Sequence, residues 1–161
     1  MPLKLTREDW ERFLRGRHVA VLATTAPDGT AVLTPIWYLY KDGLVLMRTD
    51  ANSIKALNIA REPRVTVCVQ EERPPYKSVT VYGNAQIEDE RPELGKEISR
   101  HYLGAVGGAA YMRLAAGEVE RGEEVTIILT PSRVLTQDFT LETPLIGRVW
   151  LLIKRVLPPW L

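Results

Sequence analysis

The segment Leu44-Val45-Leu46-Met47-Arg48-Thr49-Asp50-Ala51-Asn52-Ser53-Ile54-Lys55-Ala56-Leu57-Asn58 joins a strand pattern to a helix pattern. Aliphatic residues dominate its first half, as in a buried strand. Apolar residues then recur at helical spacing from Ile54 until Pro63, which stops a helix. Asp50 and Asn52 are both predicted N-caps. The segment therefore predicts a strand that leads directly into a helix.

The polar side chains of this junction suit an anion. A helix N-terminus carries unpaired backbone N–H groups and the positive end of the helix dipole. The segment adds two hydroxyls and two cations, contributed by Thr49 and Ser53 and by Arg48 and Lys55. Together these groups predict a phosphate site. A plain strand-to-helix connection with a solvated lysine is the alternative, because such junctions are common.

Composition narrows the class of protein. A chain of 161 residues fits one domain with a substantial core, and its 45% hydrophobic and 25% charged residues are ordinary for a globular protein. The formal net charge of +1 gives no field that would attract nucleic acid or a membrane. Cys68 is the only cysteine, which favours a reducing compartment. The N-terminal residues lack a signal-peptide pattern, so we expect a cytoplasmic protein.

Alternating apolar residues and turn signals predict a mainly β protein with peripheral helices. Predicted strands cover residues 18–25, 30–40, 44–49, 65–70, 79–87, 125–129 and 133–139. A capping box at Thr6 predicts a first, short helix. Further helices are predicted over residues 52–61, 92–103 and 109–118, and the glycines of 104–108 break the chain between the last two. The early hairpin turns, Pro27-Asp28-Gly29 and Lys41-Asp42-Gly43, favour an antiparallel sheet that closes into a barrel.

Residues for direct protein catalysis are scarce. His18 and His101 are far apart in sequence and lack a pattern of metal ligands around them. No nucleophile elbow appears, and the glycines of 104–108 lie between helices rather than after a strand. If the protein is an enzyme, its reactive group is therefore expected to come from a cofactor. No catalytic residue is assigned.

A series of short motifs also carries a resemblance to a known family. In chain order these are Val21-Leu22-Ala23-Thr24, Pro27-Asp28-Gly29, Thr34-Pro35-Ile36-Trp37, Thr49 to Asn58 with Ser53-Ile54-Lys55-Ala56, Glu62-Pro63-Arg64-Val65, and Pro75-Tyr76 followed by Val79-Thr80-Val81-Tyr82-Gly83. The series resembles the pyridoxamine 5′-phosphate oxidase-like superfamily of flavin-binding split β-barrels. Within it, the chain is most similar to the branch that uses the deazaflavin coenzyme F-420.

The resemblance implies a split β-barrel of the FMN-binding type over residues 1–143 and an oxidoreductase function. The expected reaction transfers a hydride from reduced F-420 to a small unsaturated organic acceptor, such as a quinone, a tetrapyrrole, an unsaturated lactone or an unsaturated lipid. An FMN-dependent oxidase or reductase is one alternative, and a non-catalytic module that binds flavin or haem is another. The resemblance further implies a homodimer with the cofactor at the subunit interface.

The family's cofactor-binding positions match residues of this chain. They are Pro35, Ile36, Trp37, Arg48, Thr49, Ser53, Lys55, Asn58, Tyr76 and Lys77. By this resemblance Ser53 and Lys55 bind the phosphate, and Pro35 to Trp37 lie along the cofactor ring. Tyr76 and Lys77 reach the site from the partner subunit, and Arg17, Arg48 and Lys77 are candidate cations for the longer F-420 tail. Ile54 departs from the family, since many relatives have an arginine in that segment.

Aromatic residues follow the ring-binding motif. Trp37, Tyr38 and Tyr40 are candidates for a flat wall beside the ring, and ordinary strand packing is the alternative.

The last residues of the chain have a different pattern. Residues 144–161 form an amphipathic extension with three cations, which is too short and too charged to span a bilayer. We expect this extension to dock as a helix on protein, with peripheral contact to a membrane as the alternative.

Overall fold

Among the residues that the structure describes, seven strands and three helices follow the hydrophobic pattern of the sequence. The computed structural model describes residues 4–117 and 123–140, together with Val149. In chain order the elements are α1 (Arg7–Leu14), β1 (Ala20–Thr25), β2 (Ala31–Ile36), β3 (Tyr38–Lys41), β4 (Leu44–Asp50), α2 (Ile54–Arg61), β5 (Arg64–Gln70), β6 (Lys77–Asp89), α3 (Pro92–Gly117) and β7 (Glu124–Asp138). The predicted mainly β class with peripheral helices is confirmed.

The strands form one antiparallel sheet in the order β2-β1-β5-β6-β7-β4-β3. Its two edge strands, β2 and β3, are consecutive in the chain and are separated only by Trp37. The sheet must therefore curl until its edges meet at that residue. The result is a barrel that stays split between β2 and β3, as predicted.

Two apolar clusters hold the barrel and its long helix together. Inside the barrel, alternate residues such as Val65, Val67 and Val69 of β5 are almost fully buried. Outside it, Leu94 and Ile98 of α3 pack on the outer side of β4 and β7. Each fully buried aliphatic side chain contributes about 1.5–3 kcal/mol, so both clusters stabilise the fold.

The strand boundaries correct two predictions. The predicted strand over 30–40 is two strands, because the sheet order sends β2 and β3 to opposite edges. The two predicted strands after residue 124 are one strand, β7, in which Ser132 is the extra residue of a bulge opposite Tyr82 and Gly83. The Thr130-Pro131-Ser132 sequence predicted a break, but a bulge accommodates Pro131 within a continuous strand.

The helices confirm one boundary and refine another. The Thr6 hydroxyl accepts from the Asp9 N–H at 3.2 Å, as the capping box predicts. The chain turns at Gly104, whose φ of 74° favours glycine, and this turn divides α3 into two halves. A side chain at Gly108 would meet the backbone nitrogen of Arg100 at 2.8 Å, so the halves pack closely. The predicted break over 104–108 is therefore a single residue.

Most of the C-terminal extension lies outside the described residues. The predicted helix within 144–161 and its docking surface stay predictions, since only Val149 of this segment is described. Among the helices of the described ranges, none is long and apolar enough to cross a membrane.

Candidate functional site

The N-terminus of α2 opens directly beside the end of β4. Ser53 is its N-cap, and its hydroxyl oxygen accepts from the Ala56 N–H at 3.3 Å. The predicted caps, Asp50 and Asn52, are wrong. The Asp50 carboxylate instead accepts from the Asn52 N–H at 2.7 Å, forming a turn one residue before the cap.

The junction gathers several groups of the kinds that suit an anion. The hydroxyls of Thr49 and Ser53 lie 3.1 Å apart. The N–H groups of Ile54 and Lys55 are in the first turn of α2, where no acceptor within the helix is available. The Lys55 side chain is half-buried and makes no ion pair with a residue in the described ranges. Hydroxyls, backbone donors, helix dipole and cation therefore coincide here.

Asn58 anchors α2 to the barrel. Its side chain is buried, and its amide nitrogen donates to the Thr24 hydroxyl of β1 at 3.1 Å. One turn later, the Arg61 guanidinium donates to the carbonyl of Thr25. These bonds fix the helix orientation and so fix the direction of its N-terminus. The position that the family resemblance assigns to the cofactor thus also has a structural task in this chain.

The segment Pro35-Ile36-Trp37 lies at the same opening of the barrel. The β3–β4 ladder begins at the pair of Tyr38 with Met47. Ile36 is two residues before Tyr38, and Thr49 is two residues after Met47. Pro35 is exposed and Ile36 is buried. The segment assigned to the cofactor ring and the α2 junction therefore flank the same end of the β3–β4 ladder.

The aromatic residues after Ile36 turn away from this opening. Tyr38 and Tyr40 are buried in the barrel core, so the expectation that they form a wall for the ring is wrong. Burial raises the pKa of the Tyr38 hydroxyl far above its ordinary value. Trp37 stacks on Tyr102 of α3 with ring centroids 4.7 Å apart and an interplanar angle of 5°. Trp37 remains half-exposed and also lies near Tyr111, with centroids 5.8 Å apart.

Arg48 lies on the other side of β4 from Thr49. Neighbouring strand residues point to opposite faces, and Arg48 points towards α3. Its guanidinium pairs with Glu90 at 2.6 Å and with Glu124. A side chain at Gly95 would meet it at 2.0 Å. The structure therefore does not bring the Arg48 cation together with Ser53 and Lys55.

Tyr76 and Lys77 lie at the far end of β6 from α2. Asp50, at the end of β4 just before α2, pairs with Glu124 of β7, and the next residue of β7 pairs with Asp89 of β6. The N-terminus of α2 is therefore level with Asp89. That is twelve residues from Lys77, or about 40 Å of extended strand. One chain therefore does not bring these two residues to Lys55. Arg17 is exposed in the connector between α1 and β1.

Lys77 is held by an ion pair that the sequence did not reveal. Its ammonium lies 3.1 Å from the Asp138 carboxylate, which is 10% exposed. Burial alone would raise the pKa of Asp138, but hydrogen bonds from Thr140 and the charge of Lys77 hold it below its ordinary value. The Phe139 N–H also donates to the Tyr76 carbonyl at 3.0 Å. The start of β6 is thus fastened to the end of β7.

Sequence reasoning also missed Tyr102. Its hydroxyl donates to the His18 carbonyl at 2.6 Å and accepts from the Tyr38 N–H at 3.2 Å. The ring stacks on Trp37, so Tyr102 connects α3 to the segment before β1, to Trp37 and to the start of β3. The only sequence signal was its place on the apolar side of a predicted helix, which does not distinguish it from any packing residue.

Known proteins share this fold. A family model for pyridoxamine 5′-phosphate oxidase matches residues 6–138. A conserved hypothetical protein from Mycobacterium tuberculosis has 25% identity and a TM-score of 0.70, with 87% of this chain and 89% of that chain covered. No curated protein matches the chain.

Two further structures carry names that mention a cofactor. An F420 reductase has 21% identity and a TM-score of 0.57, covering 78% of this chain and 94% of its own. An FAD-binding protein from Mesorhizobium loti has 21% identity and a TM-score of 0.60, covering 86% and 98%. At these identities the likeness shows the fold alone. On the family match, the chain belongs to the pyridoxamine 5′-phosphate oxidase family.

Proposed function

We propose that the protein is an oxidoreductase that binds reduced coenzyme F-420 and passes a hydride to a small unsaturated organic acceptor. The observation that carries the proposal is the α2 junction. Thr49, Ser53 and Lys55 surround a free helix N-terminus that suits the cofactor's phosphate. The neighbouring segment Pro35-Ile36-Trp37 would lie along the ring, and the F420 reductase with the same fold supports this choice of cofactor.

The residues present explain what the protein would contribute to such a reaction. A bound reduced deazaflavin supplies the hydride, and the chain's own residues position the reactants and exclude water. Lys55 and the Ser53 cap would hold the phosphate end. The stacked pair of Trp37 and Tyr102 would keep the adjoining strand rigid. Asn58 would maintain the angle of α2 through its bond to Thr24.

FMN is the second candidate cofactor. It carries the same phosphate group, and the FAD-binding protein with this fold favours a flavin ring as well as a deazaflavin ring. F-420 has a longer anionic tail, which needs cations beyond the first phosphate. The candidates for that task are Arg17, which is exposed, and Lys77, which is half-exposed and paired with Asp138. Arg48 is less accessible, because its side chain is 15% exposed and paired with two glutamates.

The test is a parallel titration of the purified protein with F-420 and with FMN, followed by fluorescence. We expect tighter binding of F-420. Lys55→Ala should weaken it by about 1.5–3 kcal/mol, the range for a charge-assisted hydrogen bond. Lys96→Ala is the matched control, because Lys96 is an exposed lysine paired with Glu93. Equal affinity of wild type and Lys55→Ala would remove Lys55 from the site.

The proposal includes a homodimer. Tyr76 and Lys77 lie too far along β6 to reach the α2 junction of their own chain, so a second copy would have to supply them. One row of residues across the outer side of five strands is not covered by α1, α2 or α3 and is mainly apolar. The row is Pro35, Val21, Cys68, Thr80 and Leu135. Light scattering at micromolar concentration should give twice the chain mass, and a monomer with cofactor bound would refute this.

A further inference from the structure

The second half of α3 carries the most exposed large apolar side chains of the described ranges. Val106 is 86% exposed and Leu114 is 73% exposed, and the next is Ile54 at 67%. The turn at Gly104 places this half outside the first half, and the side that carries Gly108 packs against Arg100. The opposite side, which carries Val106, faces solvent.

The charged residues of this stretch of α3 are cations. The sequence from residue 98 to 117 contains no aspartate or glutamate, and acids return at Glu118. Arg113 follows Val106 by seven residues, so both lie on the same face of the helix. Neither Arg100 nor Arg113 makes an ion pair with a residue in the described ranges, and both are exposed. Arg113 therefore offers an anionic partner an unpaired cation on the same face as Val106.

We propose that the second half of α3 contacts the surface of a lipid bilayer that contains anionic lipid. A helix that lies in the interface buries apolar side chains among the acyl chains and keeps its cations at the phosphates. Val106 and Leu114 would enter the bilayer, and Arg113 would reach a headgroup. The contact is peripheral, because no described helix is long and apolar enough to cross a membrane.

A neighbouring side of the same helix borders the candidate site. Tyr111 is 44% exposed and packs near Trp37, and both line a cavity of about 110 Å³ under α3. A bilayer against this helix would therefore lie beside the strand assigned to the cofactor ring. If the proposed function holds, on which this step rests, the acceptor is a molecule dissolved in the membrane. Such an acceptor could approach the ring without crossing water.

The test is co-sedimentation of the full chain with vesicles of phosphatidylcholine, with and without about one part in four of phosphatidylglycerol. We expect wild type to bind the anionic vesicles. The double variant Val106→Glu/Leu114→Glu should reduce binding by about tenfold or more, since it replaces apolar contacts with charges of the lipid's sign. Arg113→Gln should reduce binding only to the anionic vesicles. Val19→Glu is the matched control, because Val19 is an exposed valine outside α3.

Three outcomes would overturn the proposal. The first is a wild type that stays in the supernatant with both vesicles. The second is a double variant that binds as well as wild type, which would assign the contact to another part of the chain. The third is a loss of mass by light scattering in the double variant without vesicles, which would make the face an interface between protein chains. Titration of each variant with F-420 in solution separates these results from a failure of the proposed function and confirms that each variant is folded.

Discussion

Arg48 and Thr49 are consecutive residues of β4, yet their side chains lie in opposite environments. Thr49 faces the open junction at the start of α2, where its hydroxyl contacts Ser53. Arg48 faces α3, and its guanidinium is enclosed by Gly95 and paired with two carboxylates, so its side chain is only 15% exposed. Because consecutive side chains of a strand point to opposite faces, two adjacent residues have different surroundings.

The difference shows that a cation is available to a ligand only when the fold has not already neutralised it. Lys55 has no ion pair within the described ranges and sits beside free backbone donors. Lys77 is intermediate, because it is 35% exposed and is paired with Asp138. Arg48 stabilises the fold, Lys55 is available for a phosphate, and Lys77 would have to share its charge. Three substitutions can test this ranking.

The largest expected effect comes from Gly95→Ala. In an ordinary helix this change is favourable, since alanine has the higher helix propensity. Here the new methyl group would overlap the Arg48 guanidinium, which Glu90 and Glu124 hold in place. Displacing the guanidinium should lower the free energy of unfolding by about 2 kcal/mol, as measured by urea denaturation. Affinity for F-420 should stay unchanged, since Arg48 is outside the junction.

Gly107→Ala provides the matched control for the same helix. A side chain at Gly107 meets only the Leu103 Cβ, at 3.1 Å, so its effect should be within about 0.5 kcal/mol of zero. If Gly95→Ala is as stable as Gly107→Ala, the enclosure of Arg48 contributes little to stability. If it is stable and weakens F-420 binding, Arg48 belongs with the cofactor after all.

The contrast also shows which parts of the site the sequence could predict. The proximity of Thr49, Ser53 and Lys55 is local, since all three lie within seven residues around one strand end and one helix start. The prediction placed Arg48 at the same site as Thr49, although neighbouring side chains of a strand point to opposite faces. What local pattern could not supply was the partner of Arg48. Glu90 is 42 residues away in sequence, and the β4–β7 pairing that brings Glu124 close is set by the whole sheet.

The fold, like the site, has features that the local sequence predicted and features that it could not predict. Alternation of apolar and polar residues predicted almost every strand, because each strand packs one side against the core. The separation of β2 from β3 at Trp37 and the bulge at Ser132 depend on which strands become neighbours. Tyr38 and Tyr40 failed as a wall for the ring for a similar reason. Their side of β3 is the inner side, and only the closure of the barrel decides that.

A smaller effect is expected from Ser53→Ala. Loss of the N-cap hydroxyl leaves the Ala56 N–H without its acceptor and should lower the free energy of unfolding by about 1 kcal/mol. Asn52→Ala is the matched control and should change it by less than about 0.5 kcal/mol, because no hydrogen bond from the exposed Asn52 side chain is present in the described ranges. Thermal or urea unfolding of both variants measures the difference. Equal destabilisation by the two changes would restore Asn52 as the cap.

The smallest effect should come from Asp138→Asn, which releases Lys77 from its ion pair. The pKa of Asp138 is held below its ordinary value, so the carboxylate stabilises the folded state at pH values above the unfolded pKa of about 3.9. The variant should therefore be about 0.5 kcal/mol less stable at neutral pH, and the difference should disappear as the pH falls through the folded pKa. Urea denaturation at several pH values checks this.

The same variant tests how Lys77 divides its charge. If Lys77 of a second copy contacts the cofactor, Asp138 both positions the ammonium and weakens its field. Asp138→Asn should then change the affinity for F-420 and make it depend more strongly on salt, because an unpaired cation is screened more than a paired one. Glu93→Gln, which releases the exposed Lys96, should change neither quantity. An affinity and a salt dependence that both equal those of wild type would place Lys77 with Arg48, among the cations used by the fold.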